Sequence, residues 1–395
     1  MSLLYLDHCS TTPLDPVVAA AMQEVALATP GNPASLHRAG QAARRALEAA
    51  RTRIAQRLHA DIEAVDGDQL VLTSGGTEAN NLALFGLAGD PPGRVLVSAV
   101  EHPSVLAAAA RLEQMGFDCH RIPVDEQGLL RLEQLDALLT DDTRLVSVQF
   151  GNHETGVIQP IAEIARRCAG RGIRVHCDAV QAVGKYPVNF HELGVDALTF
   201  TAHKFHGPIG IGALLLRAGV QPRPLLYGGT QQLGLRPGTE SVALAAGFAL
   251  ALERSLQHVP PVDQLLAVLR DRFEAEIARA VPDAHFAGRN APRLPHVSNV
   301  ALPGADRQSL LLALDRAGVA CSSGPACQSG ASEPSPVLRA MGLPATVVEA
   351  ALRFSVGRTT SESEIVDAVN RILKTFNDLR LARDSRKYGF PPRFS

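Results

Sequence analysis

The sequence predicts an α/β protein built on a mostly parallel central sheet, and three observations carry that reading. Short apolar runs of strand length recur at 70–73, 94–98, 145–150, 173–177, 197–200 and 211–216. Helical stretches at 77–87, 104–115 and 161–169 lie between several of them, the alternation that parallel strands with crossover helices produce. Polar or glycine-rich segments follow the runs: Ser74-Gly75-Gly76-Thr77, Glu101-His102, Asn152-His153-Glu154, Asp178 and Lys204. In an open α/β sheet the ligand sits beyond the carboxyl ends of the strands, so these groups can converge on one edge.

Past residue 216 the pattern changes. A Gly- and Gln-rich loop, 228–238, leads into a long helical region at 241–280, then a smaller α+β segment that closes with a helix near 361–381. The expected division is a large domain, 15–260, and a small domain made of 1–14 and 261–395. Residues 380–395 carry five basic side chains and one acid. A solvated tail is the ordinary reading of such a segment, and a docking or dimer-wrapping arm is the alternative.

At 395 residues the chain is long enough for a large core and two domains. It is 46% apolar and 20% charged, with a net charge of −2, so no global field points to nucleic acid or a membrane surface. No run reaches the roughly 18 apolar residues of a membrane span, and the first residues lack the basic and apolar regions of a signal peptide. Six cysteines stand at 9, 119, 168, 177, 321 and 327 with no CxxC pair. That spacing suggests neither a disulfide framework nor a zinc site, and a reducing cytoplasm fits it.

The chemistry is read from a lysine and an aspartate. Lys204 lies between an apolar run and a glycine-rich turn, and Asp178 ends another run. Pyridoxal phosphate needs such a pair. The amine forms a Schiff base with the aldehyde, and the carboxylate keeps the pyridine nitrogen protonated so that the ring serves as an electron sink. Leu72-Thr73-Ser74-Gly75-Gly76-Thr77-Glu78 reads as strand, glycine turn and helix start, where backbone N–H groups favour a phosphate. Such a turn is often only a turn, and it gains meaning beside Asp178 and Lys204. No GxGxxG or GxxxxGK[ST] is present to support a dinucleotide or P-loop site. His102, after a strand and before a helix, is placed to stack on a ring and carry protons. His203 and His206 form a HxxH pair for which no third metal ligand is evident, so no metal is expected.

These residues bring the chain to a family. It resembles the cysteine desulfurases of the group that includes NifS and IscS, with the class V aminotransferase fold (fold type I). The motifs are Thr11-Thr12-Pro13, Gly31-Asn32-Pro33-Ala34-Ser35-Leu36-His37, Ser74 to Asn81, Glu101-His102, Glu154-Thr155-Gly156, Asp178-Ala179-Val180-Gln181, His203-Lys204, Arg236-Pro237-Gly238-Thr239, Ser322-Ser323-Gly324-Pro325-Ala326-Cys327 and Leu352-Arg353-Phe354-Ser355. They run in one order over nearly the whole chain. The resemblance implies pyridoxal 5′-phosphate as cofactor and L-cysteine as substrate. It implies Lys204 as the Schiff-base lysine, Asp178 on the pyridine nitrogen, Gln181 on the ring's 3′-oxygen, and His102 stacked on the ring. Gly76, Thr77, Thr201 and His203 would hold the phosphate. Thr239 would reach the phosphate of the other subunit of a homodimer. Arg353, with Asn32, would bind the substrate, Arg353 by its carboxylate.

The reaction requires a second thiol to attack the substrate sulfur as alanine leaves. The resemblance assigns this to Cys327, in a loop of small residues that lets a thiol swing from substrate to acceptor. The loop from Cys327 to Ser335 matches the family's long-loop group, which delivers sulfur to a scaffold or carrier protein. Cys321 is expected to pack at a strand end, and Cys9, Cys119, Cys168 and Cys177 to be small buried apolar side chains.

Three features depart from the family pattern. His153 stands where a cofactor-contacting Asn is expected. Imidazole can donate one hydrogen bond but titrates near neutrality, so an altered pH dependence is expected. Asp7-His8-Cys9-Ser10 differs from the usual substrate-entrance segment. The basic C-terminus differs from the usual docking tail, which leaves the acceptor open among iron–sulfur cluster, thiolated tRNA and other thio-cofactor routes. The rival readings are a selenocysteine lyase, a class V aminotransferase or epimerase that would not need Cys327, and a non-catalytic binding role at odds with an intact Lys204, Asp178 and Arg353.

Overall fold

The computed structural model describes residues 3–257, 261–324 and 334–388. Its strands are β1 Leu4–Tyr5, β2 Gln69–Thr73, β3 Arg94–Ser98, β4 Asp118–Ile122, β5 Thr143–Ser147, β6 Arg174–Asp178, β7 Ala197–Thr201, β8 Gly212–Leu216, β9 His285–Phe286, β10 Val297–Ala301, β11 Val319–Ala320 and β12 Ala351–Ser355. Seven of them form one sheet in the order β2-β8-β7-β6-β5-β3-β4. The pairs from β7 to β4 are parallel, while β8 runs antiparallel to both β7 and β2.

The apolar runs form strands because both faces of this sheet are covered. Side chains alternate between two cores, as the two-residue period of a strand requires. Leu70, Leu72, Leu96 and Leu215 pack with the helices Arg38–Arg57, Ile161–Cys168 and Val242–Leu256. Val71, Val95, Val97, Leu214 and Leu216 pack with the helices Gly76–Leu87 and Pro103–Gln114 on the other side. Strand β4 escapes the apolar pattern. Its sequence is Asp-Cys-His-Arg-Ile, and it lies at the sheet edge with β3 as its one neighbour, where polar side chains are tolerated.

A three-stranded antiparallel sheet, β12-β10-β9, and the pair β1-β11 form a second layer. Its core joins Leu4 and Leu6 to Phe273, Leu310, Phe354 and Phe376, with the Phe273 and Phe354 rings 5.0 Å apart. In β12, Leu352 and Phe354 enter this core, so the alternation turns Arg353 to the opposite face.

The region 241–280 is not one helix but two, Val242–Leu256 and Val262–Ala280. The second begins after Pro261, and the Pro260-Pro261 sequence cannot continue a helical hydrogen-bond ladder. The last helix, Glu362–Tyr388, runs past the expected end near 381 and takes in the first half of the basic segment. There Arg383 donates to the Gly304 carbonyl at 2.7 Å. The remainder, 389–395, lies outside the described residues.

Candidate active site

After β3 the chain passes outward to β4, then returns to place β5 on the other side of β3 and continues to β6 and β7. The strand order reverses there, which opens a crevice at the carboxyl edge. A cavity of about 350 Å³ occupies it. The turn after β2 supplies Gly76 and Thr77, the turn after β3 supplies His102, and the segment after β5 supplies His153. Strand β6 and its turn supply Asp178 and Gln181, and β7 and its turn supply Thr201, His203 and Lys204. Arg353 reaches in from β12. Ten of the expected site residues thus line one cavity.

One wall is a helix N-terminus. Gly75 caps the helix Gly76–Leu87 without a side-chain hydrogen bond, leaving the first-turn N–H groups and the positive end of the helix dipole toward the cavity. A Cβ on Gly76 would stand 2.9 Å from Val180 Cγ2, so glycine is what lets the helix start this close to the turn after β6. Glu78 steadies the turn. It accepts from the Ser74 backbone N–H at 2.7 Å and from Arg236 Nε at 3.0 Å. The Thr201 hydroxyl donates to Ile211 O at 2.8 Å, so it presents lone pairs, not a proton, to the cavity. His203 Nδ1 is 3.1 Å from Thr11 Oγ1, while His206 Nδ1 turns to Pro13 O at 2.9 Å. The HxxH pair therefore points to separate partners.

A hydrogen-bonded chain also lines the cavity. Asn80 Nδ2 donates to Asp178 Oδ2 at 2.7 Å and to Ser104 Oγ at 2.9 Å, and Ser104 Oγ lies 2.7 Å from His102 Nδ1. Asp178 Oδ1 also accepts from the Val180 N–H at 3.0 Å. The Ser104 backbone N–H donates to His102 Nδ1 at 3.1 Å. Nδ1 is therefore an acceptor, and the neutral ring carries its proton on Nε2. Burial lowers the His102 pKa, with Asp178 opposing and Lys204 and Arg353 reinforcing.

Lys204 Nζ donates to the carbonyls of Cys9 and Ser10 at 2.6 and 2.7 Å. Arg353 donates through Nη1 to His153 O at 2.8 Å, and through Nη2 to Asp7 Oδ1 at 2.9 Å and Ser10 Oγ at 2.8 Å. Its Nε is buried with no hydrogen-bond partner among the described residues. A buried guanidinium N–H without an acceptor is costly, and the side chain as a whole lines the cavity, where a guanidinium suits a carboxylate.

The surroundings of His153 weigh against a ring that titrates near neutrality. It packs edge-to-face on His102, with ring centres 5.2 Å apart. Burial, then the charges of His102, Arg353 and Lys204, hold its pKa well below 6.5. This direction disfavours the protonated ring on which the expected pH effect depends.

The sequence pattern matches a family model described as aminotransferase class-V over residues 4–368. The chain belongs to this family. A relative named cysteine desulfurase, from Nostoc sp., is 41% identical over 367 residues, covering 92% of this chain and 90% of its own length. The solved structure of a NifS-like protein from Rickettsia africae matches with a TM-score of 0.84 and 29% identity, over 95% of this chain and 99% of that one. A structure of SspA in complex with cysteine matches with a TM-score of 0.77 and 29% identity, over 90% of this chain and 99% of that one.

Within this class-V aminotransferase chain, two expected site residues stand outside the cavity. Asn32 is exposed and turns its Oδ1 to the Ala34 N–H at 2.9 Å. Thr239 is exposed in the segment between Leu235 and Ser241. Cys327 lies outside the described residues, as do 325–333 as a whole. Cys321 directly follows β11, where burial pushes its thiol up to about 12. Cys168 and Cys177 are buried as expected, but Cys119 on edge strand β4 is only half-buried. Cys9 is buried yet forms part of the cavity wall, a place that small apolar character alone does not reveal. Asn80, Ser104 and Gln149 also line the cavity, though residue type alone does not mark them as site residues. Asn80 lies one helical turn past Thr77 within the motif at 74–81, a spacing that signals a shared helix face.

Proposed function

We propose that the cavity binds pyridoxal 5′-phosphate and that the enzyme is a cysteine desulfurase. It transfers the sulfur of L-cysteine to Cys327, leaving L-alanine and a persulfide on the enzyme. The observation that carries this reading is the convergence of Lys204, Asp178, an uncapped helix N-terminus and the Arg353 guanidinium on one cavity of about 350 Å³.

The residues fit the cofactor. Asp178, held by Asn80 and the Val180 N–H, would keep a ring nitrogen protonated, and the N–H groups of Gly76 and Thr77 would take the phosphate with His203. Gln181 and His153 would contact the ring's polar edge, and His102 would cover its face. Once bound, pyridoxal phosphate supplies an electron sink for negative charge at the substrate α-carbon. Arg353 holds the substrate carboxylate, and the Lys204 amine moves the α-proton. The Cys327 thiol attacks the substrate sulfur. The S–S bond forms as the C–S bond breaks, and a proton completes the methyl group of alanine.

The same reading includes a homodimer, in which Thr239 serves the partner's phosphate and Asn32 assists with substrate, and a sulfur-acceptor protein for iron–sulfur cluster or other thio-cofactor or tRNA synthesis. A cytoplasmic location belongs to it as well. Among the described residues no helix is long and apolar enough to cross a membrane. Incubation with L-cysteine and a thiol reductant should yield equimolar sulfide and alanine from the wild type and neither from Cys327→Ala or Lys204→Ala. Turnover that survives Cys327→Ala would assign the sulfur transfer to another group.

A further inference from the structure

Behind Gln181 lies a lysine that this chemistry does not use. Lys185 is 5% exposed and sits in the turn after β6, whose backbone bonds run from Lys185 N to Ala182 O and from Ala182 N to Ala179 O. Among the described residues, its one side-chain hydrogen bond is from Nζ to Gln181 Oε1, at 3.1 Å. Burial, reinforced by Lys204 and Arg353 and opposed by Cys9, pushes its amine down to about 7. An amine with three potential donors and one acceptor is an expensive core group, and an apolar side chain of similar length would be cheaper. Fold stability therefore does not account for Lys185.

The geometry at Gln181 does. A carboxamide can be flipped, so which edge faces the cavity depends on its neighbours. On one side, the Cys9 carbonyl can only accept, and Gln181 Nε2 donates to it at 3.0 Å. On the other, Lys185 Nζ has protons to donate in either protonation state and meets Oε1. The two contacts demand the same orientation. They leave the second N–H of Nε2 without either partner, on a side chain that lines the cavity. Without Lys185, Oε1 would keep only His296 Nε2, at a distant 3.5 Å.

We infer that Lys185 is a positioning residue: it locks the Gln181 carboxamide with its N–H edge toward the cavity, where it meets an acceptor oxygen on the bound cofactor. This rests on the reading that the cavity binds pyridoxal phosphate.

The test is a double-mutant cycle on the apo protein. Wild type, Lys185→Met, Gln181→Ala and the double variant are each titrated with pyridoxal phosphate. The dissociation constant is taken from equilibrium dialysis, and the pH dependence of the bound chromophore's absorbance is recorded. Lys185→Met should weaken binding by about five- to tenfold, the scale of one lost hydrogen bond, and shift the absorbance titration. The apo melting temperature should be unchanged or higher. In the Gln181→Ala background the same substitution should change neither readout, because Lys185 acts through Gln181. Unchanged affinity and titration in Lys185→Met would overturn the inference. So would equal losses in both backgrounds, which would make Lys185 a structural residue whether or not the variant folds well. Failure of the wild type to take up pyridoxal phosphate would instead remove the cofactor reading itself.

Discussion

At His153 the surroundings of one ring reverse what its chemistry suggests in isolation. A histidine in place of an amide invites a pH switch near neutrality, but this one is buried among His102, Arg353 and Lys204, all of which disfavour a second positive charge. His102 is lowered too, with burial the largest cause. Both shifts disfavour protonation near neutrality, so activity should show no imidazole limb from these rings between pH 8 and 6.5. The absorbance titrations of wild type and His153→Asn should superimpose over that range, and a displaced curve would show that His153 does titrate there. Asp178 makes the complementary case. Both its oxygens accept, from Asn80 Nδ2 and the Val180 N–H. Asp178→Asn would face the Asn80 amide with a donor or turn its oxygen away from the ring nitrogen. Pyridoxal phosphate affinity and turnover should both fall, turnover by at least tenfold, while Asp178→Glu should restore part of each.

Elements were legible in the sequence where both faces are buried. The central strands are built around short apolar runs, and their bounds shift by up to three residues from those expected. Edge strand β4 was illegible because a strand with one neighbour and polar flanks carries no such signal. In the site, Lys204 and Asp178 could be read because each directly follows or ends an apolar run. The chain from Asp178 through Asn80 and Ser104 to His102 could not, because it joins the N-terminal ends of two helices that meet only once the sheet has formed. That close packing is testable at Gly76. A methyl there would press on Val180 Cγ2 at 2.9 Å, and a β-branched side chain has little rotamer freedom to yield. Gly76→Ala should cost about 1–3 kcal/mol, typical of overpacking, and the added Val180→Ala should recover most of it in denaturant unfolding. Simple additivity of the two losses would show that the contact is not the cause.

Over the whole molecule, the cost of burying so many imidazoles sets how the fold responds to acid. His8 and His176 are held down to about 3 and His206 to about 4, burial being the largest cause for each. Unfolded, the same rings take up protons near 6.5. Between those values the unfolded chain binds more protons, so stability is full above about 6.5 and falls as pH drops toward 4, by about 1.4 kcal/mol for each unit of depression that is crossed. Glu154 runs the other way. Burial raises its carboxyl from 4.5 to about 7, so that group favours the fold as pH falls from 7 to 4.5, and buried Glu101 acts in the same sense. The histidines outnumber these two carboxyls, since His102, His153 and His296 are lowered as well. The melting temperature of the apo protein should therefore decline steadily from pH 6.5 to 4. His176 isolates the cause, because it lies away from the cavity lining and, among the described residues, its ring bonds only Ser147 Oγ at 2.8 Å and Thr199 Oγ1 at 3.0 Å. His176→Gln should lower stability at pH 7 yet make the decline between pH 6 and 4 shallower, whereas an unchanged slope would place the proton uptake elsewhere in the chain.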